Sequence, residues 1–127
     1  MYYTYMLRCQ DNSIYTGITT NIERRFEEHS SKNEKCAKYT RNHTAKRIEC
    51  VWESENRVLA SKLEFHIKTL SKKQKEKLIL NNNLEELLSE KVDCNKYLRL
   101  ESNKNFEKKL TKKLNLCYNY KYKIKVI

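Results

Sequence analysis

One glycine and no proline occur in the 127 residues of this chain. Glycine and proline are the residues that ordinarily make tight turns and tolerate unusual backbone. A chain nearly without them must turn on polar stretches, and its one glycine, Gly17, must stand where the backbone requires it. Gly17 lies in Ile14-Tyr-Thr-Gly-Ile18, a short β-prone run. Ahead of it, Tyr2 to Arg8 is rich in aromatics, which suits a strand. The polar stretch Gln10-Asp-Asn-Ser13 between them is a turn signal, so the two runs predict a hairpin.

Helical signals follow. Thr20 with Glu23 three residues on reads as a capping box, opening a helix through about Ser30. Ile22 and Phe26, four apart, form its buried stripe, and Arg25 and His29 share an adjoining face. Residues 31–47 read as irregular and basic. Ile48 to Glu53 alternates like a third strand, and Arg57 to Leu70 repeats Leu59, Leu63, Ile67 and Leu70 at helical spacing. Ser71 with Gln74 predicts a second capping box and a short basic helix to about Leu80.

Asn81-Asn-Asn83 marks the expected end of a first domain, residues 1–80. Beyond it stand an amphipathic stretch (Leu84 to Val92), a Lys-rich helix (Phe106 to Leu116) and an alternating strand (Tyr118 to Ile127). The expected fold is α/β of the α+β kind. A small three-stranded antiparallel sheet is flanked by helices, and residues 81–127 form a basic helix and strand extension. An unpaired strand at its end invites self-association.

The charge narrows the partners. The net charge is +11, from 27 basic and 16 acidic residues. Residues 1–80 carry +6 (16 basic, 10 acidic) and residues 81–127 carry +5 (11 basic, 6 acidic). Such an excess favours a polyanion, nucleic acid first. No apolar run approaches the roughly 20 residues of a membrane span, so no membrane partner is expected. The N-terminus lacks a secretory pattern. Five scattered cysteines (Cys9, Cys36, Cys50, Cys94, Cys117) include no C-x-x-C pair, which argues against a zinc site or disulfide framework. The expected setting is intracellular and reducing, cytoplasm or nucleus.

Tyr5, Tyr15-Thr-Gly17, Arg25 and His29 fall in order on the hairpin and first helix. This set resembles the GIY-YIG nuclease superfamily, with Tyr15-Thr16-Gly17 as its second signature tripeptide. Tyr3-Thr4-Tyr5 stands where Gly-Ile-Tyr would be. Residues 14–29, Ala37-Lys-Tyr-Thr-Arg41 and the block Leu63 to Ile79 are similar to its compact single-domain, UPF0213-like branch. The resemblance spans residues 1–80. It implies an endonuclease that hydrolyses DNA phosphodiesters, in repair, recombination or genome processing. It also implies Tyr5 and Tyr15 as paired active-site tyrosines, Arg25 as the catalytic arginine, His29 lining the site and Glu64 as the metal-binding glutamate.

The chemistry agrees with these roles. Arg25 offers phosphoryl oxygens a planar fork that keeps its charge at neutral pH. Mg²⁺ or Mn²⁺ takes oxygen ligands, and Mg²⁺ keeps most of its waters, so one carboxylate and a substrate phosphate suffice. Tyr15 is expected as base or water-positioner, and Tyr5 as the group that orients the phosphate. Gly17 would let a phosphate approach the backbone closely, with freedom in φ. Lys32, Lys35, Lys38, Arg41, Lys46 and Arg47 form the expected backbone track, blind to sequence and sensitive to salt, with Tyr39 stacking on a base. RNA stays open as a substrate. Singly, each tyrosine reads as a strand aromatic and each charge as a solvated one; together they meet the family spacing. Two further readings stay open: a binding protein on this fold with little catalysis, and an interaction subunit acting through residues 81–127.

Overall fold

In the computed structural model, residues 1–31, 43–81 and 83–100 are described. Strand β1 (Tyr2–Cys9) and strand β2 (Ile14–Thr19) form the hairpin, and helix α1 (Ile22–Ser31) follows. Strand β3 (Ala45–Ser54), helix α2 (Arg57–Lys68), helix α3 (Lys72–Asn81) and helix α4 (Leu84–Leu88) come next. A 3₁₀ turn (Cys94–Lys96) leads to a short strand β4 (Leu98–Arg99). The sheet is antiparallel in the order β2-β1-β3-β4.

The hairpin turn needs one left-handed residue, and the chain uses Asn12 (φ 70°) instead of glycine. Asparagine tolerates that conformation better than other side chains. Asp11 Oδ1 accepts from the Ser13 backbone N–H at 3.1 Å and from its hydroxyl at 2.6 Å, which closes the turn.

Strand β1 is buried on both faces. Tyr5 and Leu7 pack with Ile22 and Phe26 of α1 and with Ala45, Ile48 and Val51 of β3. On the other face Met6 joins Cys50 and Trp52, Leu63 and Ile67 of α2, Leu78 of α3, and Leu84, Leu88, Val92 and Tyr97. The sheet is therefore a middle layer, with α1 on one side and α2 to α4 on the other. Ala60, Leu63 and Ile67 form the buried stripe of α2, while Leu59 and Leu70 sit at its margin.

Several expected boundaries shift, and β3 begins at Ala45, inside the stretch expected to be irregular, instead of at Ile48. Asn21, not Thr20, caps α1: its side chain accepts from the Arg24 N–H at 3.0 Å. Thr19 ends β2, and its hydroxyl accepts from the Asn21 N–H at 3.1 Å, so the passage from strand to helix takes one residue more. The Ser71–Gln74 box forms as expected. Ser71 N–H donates to Gln74 Oε1 at 3.0 Å and Gln74 N–H to Ser71 Oγ at 3.2 Å.

The larger correction concerns residues after 80. Packing does not end at Asn81–Asn83, and the sheet has a fourth strand. Tyr97 Oη donates to the Leu59 carbonyl at 2.7 Å. Arg99 caps the last turn of α3 by donating to the Leu78 and Ile79 carbonyls at 3.2 and 3.1 Å, and its guanidinium lies 5.7 Å over the Trp52 ring. Residues 83–100 thus cover the face of β3 and belong to the same body. The predicted helix 106–116 and strand 118–127 lie outside the described residues.

Candidate active site

Gly17 lies directly across from Tyr5 in the β1–β2 ladder. A Cβ on Gly17 would stand 2.6 Å from Tyr5 Oη and 2.8 Å from Tyr5 Cζ. Its φ is not positive. The glycine is therefore required for space, and the space it leaves is filled by the Tyr5 ring. Freedom in φ, the other half of the expectation, is not used.

Tyr5 lies folded over β2, where it meets Tyr15, its diagonal neighbour across the hairpin. Their ring centroids are 6.2 Å apart. Helix α1 brings His29 onto both, at 5.8 Å from Tyr5 and 5.0 Å from Tyr15, edge to face in each case. Tyr5 Oη and His29 Nε2 are 2.6 Å apart. The Arg25 guanidinium, one turn before His29, stands near the Tyr5 hydroxyl, whose pKa its charge lowers. A guanidinium only donates. Toward Arg25 the Tyr5 oxygen can therefore only accept, and its proton can go to His29 Nε2 when the imidazole hydrogen is on Nδ1.

Burial fixes these protonation states. His29 is 0% exposed, and burial first, then the Arg25 charge, lower its pKa to about 3. It is a neutral imidazole at neutral pH. Tyr5 is 3% exposed, and burial, then the neighbouring Tyr15, push its pKa well above the usual tyrosine range despite the opposing effect of Arg25. Tyr5 is thus an interior donor, whereas Tyr15, Arg25 and Glu64 each keep part of their surface in solvent. Arg25 is held from its other side by Glu28, at 2.6 Å.

Glu64 projects from α2, which packs on β1 and β2. Its side chain is 24% exposed, with Lys68 at 3.7 Å, and its charge raises the Tyr5 pKa further. Among the described residues no three His, Cys, Asp or Glu side chains gather as a metal cluster. Mg²⁺ binds through one or two carboxylates and keeps its waters, and a part-exposed Glu64 suits it.

Five sequence-predicted residues therefore converge: Tyr5, Tyr15, Arg25 and His29 in contact, with Glu64 within electrostatic reach. Arg47 is placed elsewhere, in an ion cluster, and Lys46 stands at a bulge of β3. Strand β3 has an extra residue against β1 at each of two register shifts, Glu49 between the partners of Met6 and Leu7, and Lys46 between those of Arg8 and Cys9. Bulges of this kind re-aim side chains. Glu49, 2% exposed, accepts from Arg8 Nε at 3.2 Å and from Arg47. Arg8, 6% exposed, also grips Glu76 of α3 with both terminal nitrogens and donates to Asn12 at 3.2 Å. Arg47 thus belongs to a structural ion cluster at α3, and its charge is compensated. Lys32, Lys35, Lys38, Tyr39 and Arg41 lie outside the described residues.

The sequence reading missed Glu28 and Lys68, the partners of Arg25 and Glu64. Their spacing, i,i+3 and i,i+4 on a helix, was the available signal. It also missed the Arg8–Glu49–Glu76 cluster, whose members are far apart in sequence. Among the described residues, Cys9, Cys50 and Cys94 are free thiols. Among the described residues no helix is long and apolar enough to cross a membrane.

Comparison with known proteins places this geometry. The family model described as the GIY-YIG catalytic domain matches residues 1–77. A UPF0213 protein of Fusobacterium nucleatum is 49% identical over 78 residues, covering 61% of this chain and 76% of the relative. A UPF0213 protein of Escherichia coli is 40% identical over 78 residues, with coverage of 61% and 76%. The solution NMR structure of a UPF0213 protein from Bacillus halodurans is similar at 36% identity, covering 62% of this chain and 83% of that one, with a TM-score of 0.38.

Proposed function

The chain belongs to the GIY-YIG catalytic domain family, and from that premise we propose that it is a metal-dependent endonuclease hydrolysing phosphodiester bonds in DNA. The observation that carries this reading is the convergence of Arg25 and His29 on the Tyr5 hydroxyl, flanked by Tyr15 and Glu64. It supports a division of labour. Tyr5 and His29 are a buried, uncharged scaffold. Tyr15, Arg25 and Glu64 form the outer layer that meets substrate.

Arg25 binds the phosphoryl oxygens as negative charge grows on them. Its bond to Glu28 sets the plane of the fork before substrate arrives. Tyr15 orients the attacking water and, in its phenolate form, takes the proton and becomes the neutral phenol. Glu64 would hold Mg²⁺ or Mn²⁺, which when bound stabilises charge on the leaving oxygen. Lys46 and the basic residues between α1 and β3 would neutralise the phosphate backbone. The net charge of +11 supports a polyanionic substrate. A role in repair, recombination or genome processing is part of the same proposal.

The test is cleavage of supercoiled, branched and single-stranded DNA with and without Mg²⁺ or Mn²⁺. Metal-dependent nicking that Glu64→Ala abolishes is the expected result. Cleavage that survives Glu64→Ala would overturn the assignment of the metal site. Binding without cleavage on every substrate would instead identify a nucleic-acid-binding protein.

A further inference from the structure

Two residues along β1 from Tyr5, on the same face of the sheet, Tyr3 borders a second recess. Its volume is about 350 Å³, within the range of small-ligand pockets. Its walls are Tyr3, Glu53, Leu100 and the segment from Thr20 to Glu23 that leads into α1. Tyr3 and Glu53 are direct partners across β1 and β3, and burial, then the nearby Glu53 charge, raise the Tyr3 pKa. Tyr3 and Leu100 also pack against the core that holds Tyr5. Ile22 lines both this recess and the crevice beside Tyr5 and Arg25. The recess therefore begins where the candidate active site ends. Strand rise puts the Tyr3 and Tyr5 backbones about 7 Å apart, the scale of one nucleotide step.

The chemistry of the recess is unlike that of a phosphate track. Two carboxylates, Glu23 and Glu53, line it in a chain of net charge +11. They repel phosphate. An apolar wall of Tyr3, Ile22 and Leu100 with carboxylate acceptors suits a flat, uncharged group that carries N–H donors. A nucleobase with an exocyclic amino group is such a group, and carboxylates accept well from the cytosine N4 amine. Thymine fits poorly, because carbonyl oxygens flank its one N–H.

We propose that this recess holds the base of a nucleotide next to the scissile phosphate, with Tyr3 against its face and Glu53 accepting from its amino group. The location relative to the cleaved bond rests on the nuclease reading above; the base preference does not. A base whose pairing edge enters a pocket is unpaired at that moment, so the strand is open at this nucleotide.

The test is fluorescence anisotropy of the whole chain with labelled homo-oligonucleotides of deoxycytidine, deoxyadenosine and thymidine at one salt concentration. The amino-bearing oligonucleotides are expected to bind about five- to tenfold more tightly than oligothymidine. Glu53→Gln brings that ratio close to one, because the amide can donate to thymine carbonyls. Leu100→Trp, which fills the recess, does the same, with its urea midpoint reporting that it folds. Glu64→Ala keeps the ratio while losing cleavage. No preference in the unaltered protein, or a preference that persists in both recess variants, overturns the proposal. An intact preference in a protein that cuts no DNA upholds the base site and overturns the nuclease reading.

Discussion

The Tyr5 hydroxyl and His29 Nε2 lie 2.6 Å apart inside the protein, and that single contact ties the fate of the site to the charge on one imidazole. An unfolded histidine takes up a proton near pH 6.5, whereas folded His29 does so only near pH 3. Between these values the unfolded chain binds the extra proton, so acid favours unfolding. The contribution of His29 to stability is complete above about pH 6.5 and is lost as the pH falls toward 3. Urea titrations from pH 7 to pH 4.5 are expected to show up to about 1.4 kcal/mol lost per pH unit from this group. His29→Gln should flatten that slope. Equal slopes in the two proteins would contradict it.

Gly17→Ala probes the same cluster from the backbone. The new methyl group would overlap the Tyr5 ring, whose Cζ lies at 2.8 Å, and Tyr15, whose ring begins at 3.0 Å. The Tyr5 ring has little room to retreat, since it is 3% exposed and held by His29. A loss of about 1–3 kcal/mol is expected, the usual cost of overpacking a filled site. In a Tyr5→Leu background the same alanine should cost less, because the atoms it meets are gone. A thermodynamic cycle reads this coupling, and simple additivity would rule out the steric explanation.

Much of this arrangement was legible in the chain because each part has a local signal. Alternating aromatics marked the hairpin, the Ile22 and Phe26 spacing set the inner face of α1, and that face fixes where Arg25 and His29 point. The unique glycine pointed to a close approach, but not to its partner: that is known only once the register pairs it with Tyr5. Strand β4 has two residues and no alternation to read, so its pairing with Trp52 and Glu53 is purely tertiary. Glu49 looked like the polar half of an alternating strand. A bulge, which has no sequence pattern, turns it inward onto Arg8 instead.

That inward turn makes a strong prediction for Arg8. Its guanidinium neutralises Glu49 in the interior and joins β1 and β3 to the Glu76 side of α3. Arg8→Met leaves Glu49 buried with Arg47, a part-exposed partner, and should cost about 3–5 kcal/mol in urea denaturation. Replacing both groups, Arg8→Met with Glu49→Met, removes the stranded charge and should recover most of that loss. A double variant as unstable as the single one would mean that the cluster stabilises by net attraction rather than by mutual neutralisation.

The two tyrosines are expected to separate in kinetics. Tyr5 is buried, its hydroxyl is engaged by His29, and its pKa is raised, so it is a poor base. Tyr15 touches the same histidine but keeps a solvent-facing surface. Under the nuclease reading, Tyr15→Phe should lower the single-turnover cleavage rate by about 10²–10³-fold, within the range found for general acid–base catalysis and lost electrostatic contacts. It should leave the urea midpoint nearly unchanged. Tyr5→Phe removes the bond to His29 and should lower stability by about 1–3 kcal/mol, the cost of an unsatisfied buried partner. Its effect on rate should be smaller and act through the orientation of Arg25, so that weaker substrate binding accompanies it. If Tyr5→Phe abolishes turnover at full stability while Tyr15→Phe still cleaves, the roles are reversed and the buried hydroxyl must reach the substrate.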